Sequence, residues 1–319
     1  MRSKQIGIAT LGFAAILAAF WVVARHSTVG TSLGATFPRA FASFALLLAP
    51  LWFFGFGAAE VLQRRGDGLR VGMAALVAVP YFVFAAGTQV FEWRIAVGIA
   101  AFPVLLAGFL GLAKVPAKMT WRDAAGLAII AAAYFLRWFQ PAWPGAMSPM
   151  FPKLFLADVA LYCFLVARPL DGMGYSLIPT RATAWTGIRE WLFFFPFAVV
   201  IGEATWFIHF HGVLPPAGAA VGAILVTFLL IALAEELFFR GILQNLLETQ
   251  VGRTGALFIA SVLFGLSHFN HGSTFNWRYV VLASIAGIFY GRAWRAQRQI
   301  FASVLTHTLV DVVWSLWFR

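Results

Sequence analysis

Ile231-Ala232-Leu233-Ala234-Glu235-Glu236-Leu237-Phe238-Phe239-Arg240 places two carboxylates and a guanidinium inside an apolar run that extends over about Ala217–Leu247. A run of that length can cross a bilayer as a helix, which takes about 20 apolar residues. A charged side chain at the centre of such a helix costs about 3 kcal/mol on insertion scales. Three of them within one hexapeptide therefore mark a functional site rather than a snorkelling edge.

The rest of the chain supports the membrane reading. Of 319 residues, 61% are hydrophobic and 11% are charged, whereas a soluble domain carries about a quarter charged residues. Apolar runs recur along nearly the whole length, so the expected fold is all-α, a polytopic transmembrane helix bundle of about eleven spans. They lie near Ile6–Ala24, Ala40–Ala59, Val71–Thr88, Ile95–Ala113, Ala124–Phe139, Leu154–Ala167, Trp191–His209, Ala217–Leu247, Ala256–His271, Tyr279–Trp294 and Ile300–Phe318. The runs are continuous rather than alternating in period two, which excludes a β-barrel. The longest polar connection, 171–190, is read as a loop between N-terminal helices of unassigned role (1–170) and a C-terminal domain (191–319).

The net charge of +11 is spread singly or in twos and threes between apolar segments. That fits loops anchored to the anionic surface of a lipid bilayer. No basic, aromatic-interleaved face is present, so nucleic acid is excluded as a partner. Lys and Arg concentrate in alternate connections, such as Arg64, Arg65 and Arg70, or Arg292, Arg295 and Arg298, which places the N-terminus in the cytoplasm. The expected location is an integral, multi-pass position in the membrane, the plasma (inner) membrane if the source is bacterial. The single Cys163 allows neither an internal disulfide nor a multi-cysteine metal site. Trp21, Trp121, Trp138, Trp143 and Trp317 read as interfacial anchors. Arg137, Asp158 and Glu203 read as snorkelling or locally paired charges near span ends, and His209 and His211 as interfacial loop residues.

Helical spacing separates the polar groups of the last spans. Glu236 and Arg240 are four apart and share a face, so they can form an intrahelical ion pair. Glu235 is rotated from Glu236 by about 100° and points elsewhere. Phe264 and His268 share a face at the same spacing, with His271 roughly on that side, and so do His307 and Asp311. Each signal alone is compatible with packing: a buried salt bridge, a hydrogen-bonded core histidine, an aspartate that orients an imidazole. Together, a glutamate and two histidines from three apolar helices are what a buried water-activating site needs. A carboxylate stripped of solvent can take a proton from water, an imidazole can hold that water, and the second histidine can stabilise a developing oxyanion. A catalytically silent membrane scaffold, or an ion- or proton-coupled transporter using the same cluster, remains open on spacing alone.

The ordered set Glu235-Glu236-x-x-x-Arg240, Phe264-x-x-x-His268 and His307-x-x-x-Asp311 resembles the motifs of the CAAX protease and bacteriocin-processing family of intramembrane endopeptidases, over about Trp191–Arg319. The resemblance implies hydrolysis of a peptide bond in a membrane-associated peptide or protein, which could be lipidated, with Glu235 and His268 activating water. It implies that His307 and Asp311 form the oxyanion pocket, that Glu236 and Arg240 support the fold, and that Phe264 lines the substrate groove. The eukaryotic prenyl-protein enzymes have asparagine where this chain has Asp311, and an ionised aspartate has no donor, so Asp311 is either protonated in its apolar setting, an orienting partner of His307, or a metal contact. Glu235, His268 and His307 also make a ligand set that suits zinc, so zinc is a candidate cofactor, although the spacing is not His-Glu-x-x-His.

Overall fold

The computed structural model describes residues 3–111, 118–269 and 275–318. Among them the regular elements are helical, with an isolated β-bridge between Phe210 and Phe318. The principal helices are α1 (Ser3–Arg25), α2 (Phe37–Gly55), α3 (Asp67–Ala85), α4 (Trp93–Gly111), α5 (Trp121–Phe135), α6 (Phe151–Leu161), α7 (Arg181–Ala204), α8 (217–244), α9 (Asn245–Leu266), α10 (Trp277–Gln297) and α11 (Ile300–Trp317). Each apolar run read from the sequence falls on one of them. Seven stretches of the described residues are long and apolar enough to cross a membrane, with Ala217–Leu266 counted as a single stretch of 50 residues. Within that stretch the backbone leaves the helix at Gly252, whose φ of 73° lies in the left-handed region. Only glycine enters that region without a Cβ penalty, so the break between two expected spans is encoded in one residue. The remaining runs fall short for visible reasons: α5 has 15 residues, α6 has 11, and α10 carries Arg278, Arg292 and Arg295. The chain is an all-α, multi-pass membrane protein.

The chain divides into two compact units, Met1–Pro116 with Thr120–Leu170, and Ala117–Met119 with Asp171–Arg319. In the first, Leu47, Leu48 and Leu51 of α2, Tyr81 and Phe84 of α3, Ile99 of α4 and Phe155 of α6 are buried. Trp143, expected at an interface, is fully buried among them: its ring meets Phe155 at 5.8 Å, and its Nε1 donates to Ser43 Oγ at 3.2 Å. Asp158, expected near a span end with its charge in water, is also buried, and no hydrogen-bond partner reaches its Oδ1. Asp123 closes a capping box with Thr120 at the start of α5 and accepts from Arg168 Nη2 at 3.0 Å. One carboxylate thus satisfies both a helix terminus and a buried guanidinium.

In the second unit, half of the connection read as a loop is helical. Thr180 accepts from Thr183 N and starts α7, so residues 181–190 form its opening turns. Glu190, at the end of that expected loop, is buried and binds Arg292 Nε at 3.0 Å and Arg189 at 2.9 Å. The apolar centre of the unit is Phe194, Phe264, Ala283, Ala286, Phe289 and Tyr290. Helices α9 and α10 approach closely through small residues. A Cβ at Gly265 would fall 1.9 Å from Ser284 Oγ, and one at Gly287 would fall 3.0 Å from Ser261 Cα. Among apolar helices in lipid, such close backbone contact is a principal source of association.

Candidate active site

Four helices of the second unit bring the three motifs together. On α8, Glu235 and Glu236 lie between two π-helical stretches, Thr227–Ala232 and Leu237–Gln244. A π-turn inserts a residue into the helix, which changes the direction of the side chains that follow. Even so, Arg240 Nη1 donates to Glu236 Oε1 at 3.1 Å, and both residues are wholly buried. Arg240 Nη2 donates to the carbonyl of Gly287 at 3.0 Å, a reach open to it because Gly287 has no side chain. The guanidinium lies 4.5 Å from the ring centre of Phe264 and 5.3 Å from that of Tyr290. Desolvation of the pair is costly, and these extra hydrogen bonds and π-faces offset it.

Glu236 does more than pair with Arg240. Its Oε1 lies 2.9 Å from His307 Nδ1, and its Oε2 accepts from Ser303 Oγ. Ser303 and His307 are four apart on α11, so one face of that helix presents both to the same carboxylate. A carboxylate held by arginine accepts only, so Nδ1 of His307 carries the hydrogen. The other ring nitrogen, Nε2, faces Asp311 Oδ2 at 3.4 Å and Glu235 Oε2 at 3.8 Å. Tyr290 stacks on the imidazole at 4.5 Å and 13°, and Phe264 meets it edge-on at 5.6 Å. His307 is therefore held by two aromatic rings and at both nitrogens. Glu235 and Asp311, with side chains 17% and 28% exposed, are the accessible carboxylates of the cluster.

His268 ends the second motif just beyond α9. Its Nδ1 lies 2.8 Å from the Phe264 carbonyl oxygen, which can only accept, so Nε2 bears the lone pair of the neutral ring. Its ring is 4.8 Å from Phe264 and 4.9 Å from Tyr279. Phe264 thus stands between His268, His307 and Arg240 and links all three motifs. His271 lies outside the described residues. His209 Nδ1 is 3.4 Å from Glu203, a local pair with both side chains substantially exposed, and His211 is an exposed residue whose Nδ1 accepts from Val213 N at 3.2 Å.

Among the described residues, no three His, Cys, Asp or Glu side chains are grouped so that they could hold a metal ion. Of the candidate zinc ligands Glu235, His268 and His307, the last has its Nδ1 bound to Glu236 while its Nε2 faces both Glu235 and Asp311. Spacing alone missed Ser303, Tyr279, Tyr290 and Gly287. Ser303 had a usable signal, four residues before His307, whereas neutral tyrosines in an apolar helix have none.

No curated protein and no solved structure matches the chain significantly. Residues 216–313, which contain all three motifs, match the family model described as Type II CAAX prenyl endopeptidase Rce1-like. By its motifs and this match, the C-terminal part of the chain is similar to the Rce1-like type II CAAX prenyl endopeptidases.

Proposed function

We propose that the protein is an intramembrane endopeptidase that hydrolyses a peptide bond in a membrane-associated peptide or protein, with residues 191–319 as the catalytic domain. The family implies peptidase activity, and one observation carries the assignment of residues: His307 Nε2 faces Glu235 and Asp311 while its Nδ1 is bound to the Glu236–Arg240 pair. In this reading Glu235 takes a proton from a water held by Nε2 of His268. The resulting hydroxide adds to the scissile carbonyl carbon, and the oxyanion forms beside His307. The C–N bond then breaks, and the proton held by Glu235 passes to the leaving amine, so that atoms and charge balance. Glu236 and Arg240 act through His307 by fixing its ring. The substrate is presented from the bilayer and can carry a lipid. The distribution of Lys and Arg supports a cytoplasmic N-terminus, in the plasma (inner) membrane if the source is bacterial.

The test is turnover of a panel of quenched peptides, lipidated and not, by the full chain in detergent. Wild type is expected to cleave at least one, and Glu235→Ala, His268→Ala and His307→Ala are expected to lose at least ~100-fold in kcat. Full turnover by all three variants would leave the cluster as a structural element.

A further inference from the structure

The site is rich in acceptors and poor in donors. Glu235, Glu236 and Asp311 only accept when ionised. The donors beside them are engaged: Arg240 with Glu236 and Gly287, His307 Nδ1 and Ser303 with Glu236, and Ser267 with the Phe264 carbonyl at 2.7 Å. His307 Nε2 is shared between two carboxylates. A tetrahedral intermediate needs donors aimed at its oxyanion before it forms. An ionised Asp311 supplies none.

Tyr279 stands beside this gap. It lies in the first turn of α10, where the Asn276 side chain accepts from its backbone N–H at 3.2 Å and fixes the turn. Its ring is 4.9 Å from His268, 5.5 Å from Phe207 and 5.2 Å from Trp314. Trp314 follows Asp311 by three positions on α11, so the ring borders the same face of that helix. The phenol is within electrostatic reach of both Asp311 and Glu235. Tyr279 is half-buried, which leaves it able to meet a substrate, whereas Tyr290 is 1% exposed and lies flat on His307. The two tyrosines thus divide into a buried one that holds an imidazole and a half-buried one that packs beside His268.

The geometry points to Tyr279 as a further catalytic residue, whose phenolic O–H donates to the oxyanion formed when water adds to the scissile carbonyl. Its hydrogen stays on the phenol throughout, and the bond supplied is the one that an asparagine at position 311 would give. The inference rests on the endopeptidase reading and adds a residue that lies in none of the three motifs.

Tyr279→Phe keeps the ring contacts with His268, Phe207 and Trp314 and removes only the O–H. With a cleaved peptide and the full chain in detergent, kcat is expected to fall ~100-fold and KM to stay within about twofold, the signature of a lost oxyanion donor. Affinity for a peptide phosphonate, which mimics the tetrahedral anion, should fall in parallel with kcat. Asp311→Asn brings an amide donor to the same place, so Tyr279→Phe should cost about tenfold or less in that background. If Tyr279→Phe keeps kcat within about threefold while Tyr279→Ala does not, the residue is packing and the inference is overturned. Failure of the reading beneath it would look different: wild type and Glu235→Gln would be equally inert toward every peptide.

Discussion

Nδ1 of His307 and Oε1 of Glu236 lie 2.9 Å apart across two helices, and the same oxygen accepts from Arg240 at 3.1 Å. The second glutamate is therefore not a bystander that supports the fold alone. It passes the rigidity of a buried ion pair to the imidazole that faces Glu235 and Asp311.

The adjacent glutamates should consequently fail in different ways. Glu236→Gln leaves Arg240 buried without its counter-charge, which costs about 3–5 kcal/mol, and it loosens His307 as well. Thermal unfolding in detergent should show a marked loss together with lowered turnover. Glu235→Gln should elute and melt like wild type yet lose ~100-fold or more in kcat. Equal melting temperatures for the two variants would contradict this division.

Gly265 lies inside the second motif, and a Cβ there would fall 1.9 Å from Ser284 Oγ and 2.5 Å from the Val280 carbonyl oxygen. Backbone cannot yield as a flexible side chain can, so Gly265→Ala must push α9 away from α10. The expected cost is about 3 kcal/mol, at the upper end of overpacking effects. Activity should fall with it because His268 follows three residues later. A crystal or cryo-EM structure of the variant with unshifted helices would refute this.

Asp158 buries a carboxyl whose Oδ1 finds no partner. Replacing it with leucine removes the penalty of an unsatisfied polar group, worth about 1–3 kcal/mol. Asp158→Leu is expected to raise the unfolding temperature in detergent. A drop would mean that the carboxyl contributes something beyond its burial.

Chelation is expected to leave turnover intact. His307, one of the three candidate zinc ligands, spends its Nδ1 on Glu236 and faces Asp311 with its Nε2, and the proposed water is held by Glu235 and His268. Activity measured after phenanthroline treatment, with zinc quantified in the same preparation, checks this. Loss of activity restored by added zinc would require a rearranged site.

The apolar runs and the three motifs were legible because they rest on local chemistry: length, charge inside a hydrophobic segment, and spacing along a helix. Features that depend on what packs against a residue were not. Trp143 has the same amphipathic ring wherever it lies, and nothing in its neighbours reveals that Ser43 meets its N–H. Asp158 likewise looks like a charge near a span end until α6 is seen buried. Residues 181–190 are polar enough to read as loop, yet Thr180 and Thr183 form a cap that starts α7 among them. Tyr279 and Tyr290 carry no charge and break no pattern, so only the fold brings them to the histidines.

The π-helical stretches on either side of Glu235 and Glu236 set a limit on how this segment can change length. Each adds a residue to a turn that an α-helix would close sooner. Deleting one residue from 237–239 would tend to restore the ordinary hydrogen-bond pattern, and it would draw everything downstream back by about 1.5 Å and swing it by about 100°. Arg240 would then leave Glu236, and through it His307 would lose its anchor. Insertions and deletions here, even between apolar residues far from any charge, should be tolerated less well than most single substitutions.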